Sequence, residues 1–177
     1  LVGTTFDGRF EILGLLGDGG MGAVYRAREL KKDREVAIKV IRTELTNDIG
    51  VAKRFLREAK VSSGLDHPNT VSVYDYGQTK DGILFLSMEL LDGLTLEEVL
   101  AAEGRVSPAR VGLIGTQIFD ALSCAHKQGV VHRDLKPSNI MLIKNAKGQE
   151  VVKVLDFGLA KSLGSDFNTT AGFLMGT

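Results

Sequence analysis

The sequence predicts an α+β fold with two lobes, in which a small antiparallel β-sheet lobe with one helix precedes a mainly helical lobe. Up to residue 88, short apolar runs alternate with turns, which is typical of neighbouring strands, and one segment with helical spacing interrupts them. After residue 89, longer segments with helical spacing begin at residues that commonly cap helices. The 177 residues are enough to give two small lobes a hydrophobic core.

The first lobe is predicted to contain one helix and five strands. Two of the strands flank the glycine-rich turn GDGGMG, and the next strand follows the charged turn KKDR. Phe55, Glu58 and Ser62 share one face at helical spacing, which predicts a helix over about 47–63. The predicted strands are 10–16, 23–27, 35–41, 71–76 and 83–88.

The second lobe contains two signals for the start of a helix. The sequence TLEE at 95–98 has the T-x-x-E pattern of a capping box. Ser107 followed by Pro108 combines an N-cap residue with proline at the first helical position. The apolar spacing after Pro108 predicts a long amphipathic helix that ends near Gly129.

Shorter elements are predicted after the long helix. Apolar runs at 140–143 and 151–155 predict a hairpin around the turn KNAKGQ. The tail 162–177 is rich in Gly, Ser and Thr and is predicted to be a mobile surface segment.

Composition and charge exclude several classes of protein. Lys plus Arg and Asp plus Glu number 22 each, so the net charge gives no reason to expect a nucleic acid or an anionic membrane as partner. The single cysteine, Cys124, cannot form an internal disulfide, which fits a reducing compartment. No apolar run is long enough to span a bilayer, and the start lacks a secretion-signal pattern. We therefore expect a cytoplasmic chain, to which a membrane tether could be attached outside these residues.

The glycine-rich turn is a candidate phosphate site. Gly17, Gly19 and Gly22 lack side chains, so their backbone N–H groups could approach phosphate oxygens. The same glycines could instead form only a flexible hairpin turn, because the pattern by itself is weakly specific. A dinucleotide-binding oxidoreductase is disfavoured, since its glycines open a helix, whereas the segment 24–27 continues here as a strand. Strand, turn and strand together predict a flap that folds over a nucleotide.

Lys39 lies within an apolar strand, in the sequence VAIK, where a charged amine is costly unless it reaches a partner. Glu58, on the inward face of the following predicted helix, is the candidate partner. Two alternatives stay open: the stem of Lys39 could snorkel to water, and Glu58 could belong to the solvated face of its helix.

The loop HRDLKPSN lies between two apolar flanks and carries reactive groups at fixed spacing. A carboxylate at Asp134 can orient a substrate hydroxyl and accept its proton, and an ammonium at Lys136 can steady a phosphoryl group during transfer. Asn139 in this loop and Asp156 in the sequence LDFG offer oxygen ligands of the kind that suits Mg²⁺. His132, on the apolar side of the loop, is interpreted as a structural residue.

Four motifs occur in order along the chain: GDGGMGAV at 17–24, VAIK at 36–39, HRDLKPSN at 132–139 and DFG at 156–158. Together they resemble the signature set of protein kinases. With its lysine, the motif HRDLKPSN resembles that of serine/threonine kinases and not that of tyrosine kinases. The sequences GDGGMGAVYRA and MELLDGLTL are similar to those of the eukaryotic-like (Hanks-type) kinases of bacteria. The resemblance covers essentially the whole chain.

This resemblance implies the two-lobe protein-kinase fold, with an N-lobe at 1–88, a hinge at 89–93 and a partial C-lobe at 94–177 that ends in the activation segment. It also implies a serine/threonine protein kinase that uses ATP and Mg²⁺, acts in signalling and phosphorylates itself as well as other proteins. Protein substrates with Ser or Thr, and a kinase dimer, are the partners that it suggests.

The resemblance also implies a set of site residues. The glycine flap would cover the ATP phosphates, Lys39 would hold the α- and β-phosphates while paired with Glu58, and Met88 would limit the depth of the adenine pocket. The implied catalytic residues are Asp134, Lys136, Lys39 and Glu58, and the implied metal ligands are Asn139 and Asp156. The implied nucleotide-binding residues are Leu16, Gly17, Asp18, Gly19, Gly20, Met21, Gly22, Ala23, Val24, Ala37, Lys39, Met88, Glu89, Leu91 and Met141.

Two features depart from the family pattern. Ser62 stands where many members carry a larger apolar side chain, so we expect the helix that holds Glu58 to be less firmly fixed. The end TTAGFLMGT looks like an activation segment cut short, which suggests a C-terminally truncated catalytic domain. Thr169 and Thr170 are the expected phosphorylation sites, and Arg133 is the expected receiver of the phosphate.

Two functions remain open from the sequence. All the reactive positions are present, which favours phosphoryl transfer. The short second lobe favours a nucleotide-binding pseudokinase or regulatory fragment that acts by contact without transfer.

Overall fold

The computed structural model describes residues 1–19, 22–43 and 49–157. These residues form a six-stranded sheet with one helix, followed by two helices and a three-stranded sheet. The α+β prediction, with a sheet-based first lobe and a second lobe that contains the long helix, is confirmed. Within the described part of the chain, no helix combines the length and the apolar character needed to cross a membrane.

The six-stranded sheet forms the first lobe, and each pair of neighbouring strands in it is antiparallel. Its strands are β1 (Thr5–Phe6), β2 (Phe10–Gly19), β3 (Gly22–Glu29), β4 (Arg34–Ile41), β5 (Val73–Gln78) and β6 (Leu84–Glu89). Across the sheet they lie in the order β1-β2-β3-β4-β6-β5. The sequence does not predict β1, because two residues are too few for a periodic pattern.

The central strand β4 is buried on both faces of the sheet. Val36 and Ile38 pack with Phe85 on one face. Ala37 and Ile41 point to the other face, where α1 (Ile49–Ser62) covers the sheet through Phe55. Since side chains alternate along a strand, Lys39 shares the α1 face with Ala37 and Ile41. This alternation directs the lysine amine towards the helix and the cleft below it.

The second lobe is built around a long helix and a small sheet. Its elements are β7 (Gly93–Thr95), α2 (Leu96–Glu103), α3 (Pro108–Lys127), β8 (Ile140–Lys144) and β9 (Glu150–Val154). The strands lie in the order β7-β8-β9, and all their pairings are antiparallel. The buried face of α3, which includes Ile114 and Ala121, packs in one core with Val152 and Val154 of β9. The predicted hairpin corresponds to β8 and β9.

Both predicted helix starts are confirmed by their hydrogen bonds. The Glu98 N–H donates to Thr95 Oγ1 at 3.1 Å, and the Thr95 N–H donates to Glu98 Oε2 at 2.7 Å, which closes the capping box. The Arg110 N–H donates to Ser107 Oγ at 3.3 Å at the start of α3. These bonds pair N–H groups that have no partner within the helix.

Loss of the Thr95 cap should destabilise the protein slightly. We expect Thr95→Ala to lower the free energy of unfolding by about 1 kcal/mol, the usual cost of removing an N-cap side chain. Urea denaturation measures the change. Thr116→Ala is the matched control, because the Thr116 hydroxyl only donates to the Gly112 carbonyl inside α3 and caps no free N–H. Equal losses in the two variants would contradict the capping role of Thr95.

The segment between α1 and β5 joins the two lobes. Thr70 forms a parallel bridge with Val154, and backbone bonds run from Val71 N to Val154 O at 3.0 Å and from Val154 N to Asn69 O at 2.8 Å. Because Val71 is bonded to β9, strand β5 begins at Val73, two residues later than the predicted strand at 71–76. The same pairing holds Asp156, just after β9, beneath the N-lobe sheet.

Candidate active site

The glycine-rich turn joins β2 and β3, which pair up to Gly19 and Gly22. Gly22 has φ +148°, and a Cβ there would lie 2.0 Å from the carbonyl oxygen of Val40, so only glycine fits. A Cβ at Gly17 or Gly19 would meet no atom within 4 Å, so packing within the protein does not require glycine at those two positions. Gly20 and Met21 lie outside the described residues.

Arg42 is bonded to the end of β2, on one side of this turn. Its guanidinium donates through Nε to the Gly19 carbonyl at 3.1 Å and through Nη2 to Asp18 Oδ1 at 3.0 Å. The contact is largely exposed to solvent, and such ion pairs are individually weak.

Lys39 is buried, with 8% of its surface exposed, and its amine is paired with Asp156. The distance from Lys39 Nζ to Asp156 Oδ2 is 2.6 Å. Asp156 has φ +54°, a left-handed conformation that is uncommon outside glycine and that turns the chain just after β9. The buried amine therefore has the ionic partner that its position in an apolar strand demands, contributed by the second lobe.

The predicted pair between Lys39 and Glu58 is not found in this arrangement. The ion pair of Lys39 within the described part of the chain is the one to Asp156, and the Glu58 carboxylate lies 3.6 Å from Nη1 of Arg133. Asp156, which lies just after β9, places a carboxylate at the amine and forms this ion pair. Arg133 faces this acidic residue of α1, and its role as receiver of a phosphate stays a prediction. Thr169 and Thr170 lie outside the described residues.

The loop between α3 and β8 brings Asp134, Lys136 and Asn139 together. Lys136 Nζ lies 3.0 Å from Asp134 Oδ2. The Asn139 amide donates to the Asp134 carbonyl oxygen at 2.8 Å and to Asp134 Oδ2 at 3.1 Å. A short 3₁₀ turn over Pro137–Asn139 returns the chain to Asp134 and makes these contacts possible. The carboxylate is half-buried and remains accessible beside the cleft.

The residues proposed as metal ligands fit a hard cation that also binds phosphate. The Asn139 amide nitrogen is directed at Asp134, so the amide oxygen is the group left for a cation. The Leu155 N–H donates to the Asn139 carbonyl at 2.9 Å, which ties this residue to the chain just before Asp156. In the described residues no group of three or more His, Cys, Asp or Glu side chains is placed to hold a metal ion. One carboxylate and one amide suit Mg²⁺, which commonly keeps waters and takes phosphate oxygens as further ligands.

His132 supports this loop from below. It is 2% exposed, and its Nε2 lies 2.7 Å from the Leu155 carbonyl, to which it donates. Its Nδ1 accepts the Asp134 N–H at 3.3 Å, and its ring packs edge-on against Phe157 with centroids 4.8 Å apart. Burial lowers the pKa of His132, and the Leu155 carbonyl and the nearby carboxylates offset this only in part. The predicted structural role agrees with these contacts.

These contacts make a pH prediction. The fold favours neutral His132, while an unfolded histidine takes up a proton near pH 6.5, so stability is complete above about pH 6.5 and falls as the pH drops below it. Protonation would also remove the Nδ1 acceptor of the Asp134 N–H. Denaturation between about pH 8 and 5 should show this acid loss, and His132→Gln should reduce the slope. His126→Gln, on the exposed end of α3, should keep it; an unchanged slope in His132→Gln would refute the assignment.

The adenine pocket stays a prediction, and the structure shows the burial of its proposed lining residues. Ala37 and Met88 lie opposite each other on β4 and β6 and are both buried, whereas Leu16 at the rim is half exposed. Val24, Leu91 and Met141 are partly buried. The Glu89 N–H donates to the Ser72 carbonyl at 2.9 Å, so this N–H is already paired.

Sequence reasoning missed Lys153, which lies at the same junction of the lobes. Its amine, on a largely buried side chain, donates to Glu89 Oε1 at 2.7 Å and to the Thr70 carbonyl at 3.2 Å. The signal was the same as for Lys39, a lysine inside the apolar run VVKVL. Glu89 thereby acquires a role for its side chain, which fixes the strand end that borders the pocket.

The amino-acid sequence is similar to those of known proteins. A family model described as protein kinase domain matches residues 10–174. The serine/threonine-protein kinase pkn3 of Myxococcus xanthus is 46% identical over 180 residues, covering 99% of this chain and 33% of pkn3. The serine/threonine-protein kinase PrkC of Bacillus subtilis is 42% identical over 177 residues, covering 100% of this chain and 26% of PrkC. The chain thus spans a third or less of the length of these relatives.

A solved structure shares the fold. The crystal structure of the Mycobacterium tuberculosis PknI kinase domain matches with a TM-score of 0.79 and 30% identity. The match covers 93% of this chain and 64% of the PknI chain. The two-lobe arrangement described above is therefore similar to that of a bacterial kinase domain.

Proposed function

The chain belongs to the protein kinase family, and on this premise we propose that it transfers the γ-phosphoryl group of ATP to serine and threonine hydroxyls of proteins. The observation that carries the proposal is that two groups of side chains are joined by hydrogen bonds. Lys39 pairs with Asp156, and the Asn139 carbonyl, in the loop that holds Asp134, accepts the N–H of Leu155 next to Asp156 at 2.9 Å. We place the N-lobe at 1–88, the hinge at 89–93 and the C-lobe from 94 onwards.

The reaction needs a nucleophile, a proton acceptor and an in-line leaving group. The substrate hydroxyl oxygen would form a bond to the γ-phosphorus, the bond from that phosphorus to the oxygen of ADP would break, and the hydroxyl proton would pass to Asp134. Asp134 is suited to this role because Asn139 and Lys136 fix its carboxylate. Lys136 can also place its positive charge beside the phosphoryl oxygens during transfer.

Lys39 would bind phosphate oxygens of the nucleotide. Its amine is already held at the cleft by Asp156, so little reorganisation is needed when phosphate arrives. Asn139 and Asp156 would hold Mg²⁺, which when bound offsets the negative charge of the phosphates. With a cation bound, Asp156 would hold the Lys39 amine less strongly, and the amine could then bind the nucleotide phosphates. Ala37 and Met88 would form the apolar floor under the adenine.

The experiment that tests this function is a transfer assay with ATP labelled in the γ-phosphoryl group. With Mg²⁺ present, label should appear on a generic serine/threonine protein substrate and on the protein itself. Acid-stable label on serine or threonine, located by peptide mass spectrometry, would support the proposal, and we expect Thr169 and Thr170 among the self-modified residues. Binding of nucleotide without transfer, beside an active control kinase, would favour the contact-only function instead.

A further inference from the structure

Ser62 joins α1 to the chain next to Asp156. It is the last residue of α1 and is buried, and its hydroxyl donates to the backbone carbonyl of Phe157 at 2.7 Å. The bond spans 95 positions of sequence. The proposed transfer gives this hydroxyl no direct part, because its hydrogen bond goes to the Phe157 backbone carbonyl. Its partner, however, is the residue that immediately follows the proposed metal ligand.

We propose that Ser62 is a positioning residue: its hydroxyl fixes the Phe157 backbone and so holds Asp156 in the orientation that meets Lys39 and the cation. The inference rests on the proposed function, in which Asp156 is a metal ligand. It reverses the expectation that a small polar residue leaves α1 less firmly fixed. The hydroxyl supplies a directed bond at the place where a larger apolar side chain would supply only packing.

The first reason is the backbone of Asp156. A non-glycine residue at φ +54° persists only where its surroundings determine it from several sides. Three side-chain hydrogen bonds restrain Asp156 and its two neighbours. Lys39 holds the carboxylate, His132 holds the Leu155 carbonyl before it, and Ser62 holds the Phe157 carbonyl after it. Ser62 is the restraint contributed by α1, so it makes the position of the helix and the orientation of Asp156 depend on each other.

The second reason is the setting of the hydroxyl. A small enclosed cavity adjoins Ser62, bordered by Val73, Leu86 and Phe157. An apolar side chain could fill part of this space, but the Phe157 carbonyl would then lose its donor in a buried place, which is more costly than a lost surface bond. Serine is thus favoured here by the bond it makes.

The test compares three variants at Ser62 with a neighbouring control. Ser62→Ala and Ser62→Cys remove the strong donor, the second with little change in size, and Ser62→Thr keeps the hydroxyl. Ser63→Ala is the control, because Ser63 lies just after α1 and its exposed hydroxyl donates to the Lys60 carbonyl in the last turn of that helix. Two readouts are used on the whole protein that carries this chain: hydrogen–deuterium exchange of a peptide over 150–157 without nucleotide, and the Mg²⁺ concentration for half-maximal transfer.

We expect Ser62→Ala and Ser62→Cys to raise both the exchange rate and the required Mg²⁺ by about three- to tenfold, the factor for one ordinary hydrogen bond. Ser62→Thr should stay close to the unmodified protein. If either the Ser62→Ala or the Ser62→Cys variant is folded and matches Ser63→Ala in both readouts, the inference is overturned. Absence of transfer by the unmodified protein would instead refute the proposed function, and the exchange comparison would still decide whether Ser62 fixes this segment.

Discussion

Asp134→Asn is expected to lower the rate of phosphoryl transfer by about 100-fold or more, the usual contribution of a positioned proton acceptor. The amide that replaces the carboxylate can still accept a hydrogen bond from Asn139, so the loop should keep its shape. It cannot accept the proton of the substrate hydroxyl, and its ion pair with Lys136 is lost. The change should therefore fall on kcat. The KM for ATP should stay within about threefold, since Asp134 is proposed to act on the hydroxyl and not on the nucleotide.

Asp120→Asn is the matched control for this prediction. Asp120 lies on the exposed side of α3, and its replacement makes the same change in charge within the same lobe. Steady-state transfer with labelled ATP measures both variants, and circular dichroism checks that both are folded. If Asp134→Asn and Asp120→Asn transfer phosphate at similar rates, Asp134 does not accept the proton.

The elements that the sequence predicts well are those whose signals are local. The Ser107 cap and the capping box at Thr95 depend on residues three positions apart, and both helices begin as expected. The strands that it misses, β1 and β7, have two and three residues and carry no periodic pattern. The shift of β5 has a different cause. Val71 is apolar enough to be a strand residue of the first lobe. Its backbone N–H, however, donates to Val154 of β9 in the second lobe.

In the candidate site, too, some residues are placed by local spacing and others by tertiary structure. Asp134, Lys136 and Asn139 lie within one loop, so their spacing alone places them together. The partner of Lys39 depends on tertiary structure, because carboxylates from two different elements compete for one amine. No spacing in the sequence encodes the pairing of Thr70 with Val154, which brings Asp156 to the amine. Lys153 could have been found, since a lysine in an apolar run demands a partner wherever it occurs.

Lys39→Met is expected to lower the transfer rate by about 10²- to 10³-fold, the cost of removing one preorganised donor to transition-state charge. Methionine keeps the length and the apolar stem of lysine, so β4 should pack as before. Lys53→Met, on the exposed face of α1, is the control, and its transfer rate should be unchanged. The loss should affect kcat/KM for ATP, because the amine is proposed to bind the nucleotide phosphates. Steady-state kinetics at saturating protein substrate measure it.

The partner of the Lys39 amine can be identified in the same series. In nucleotide-free protein, a double-mutant cycle of Lys39→Met with Asp156→Asn should give a coupling energy of about 0.5–3 kcal/mol, as for residues in direct contact. The corresponding cycle with Glu58→Gln should give a smaller value, because the carboxylate that meets the amine is that of Asp156. Both cycles are measured by urea denaturation. A larger coupling to Glu58 than to Asp156 would mean that the free protein holds its helix and its DFG turn in a different arrangement. The preorganisation of Lys39 by Asp156, on which the proposed binding of phosphate depends, would then be wrong.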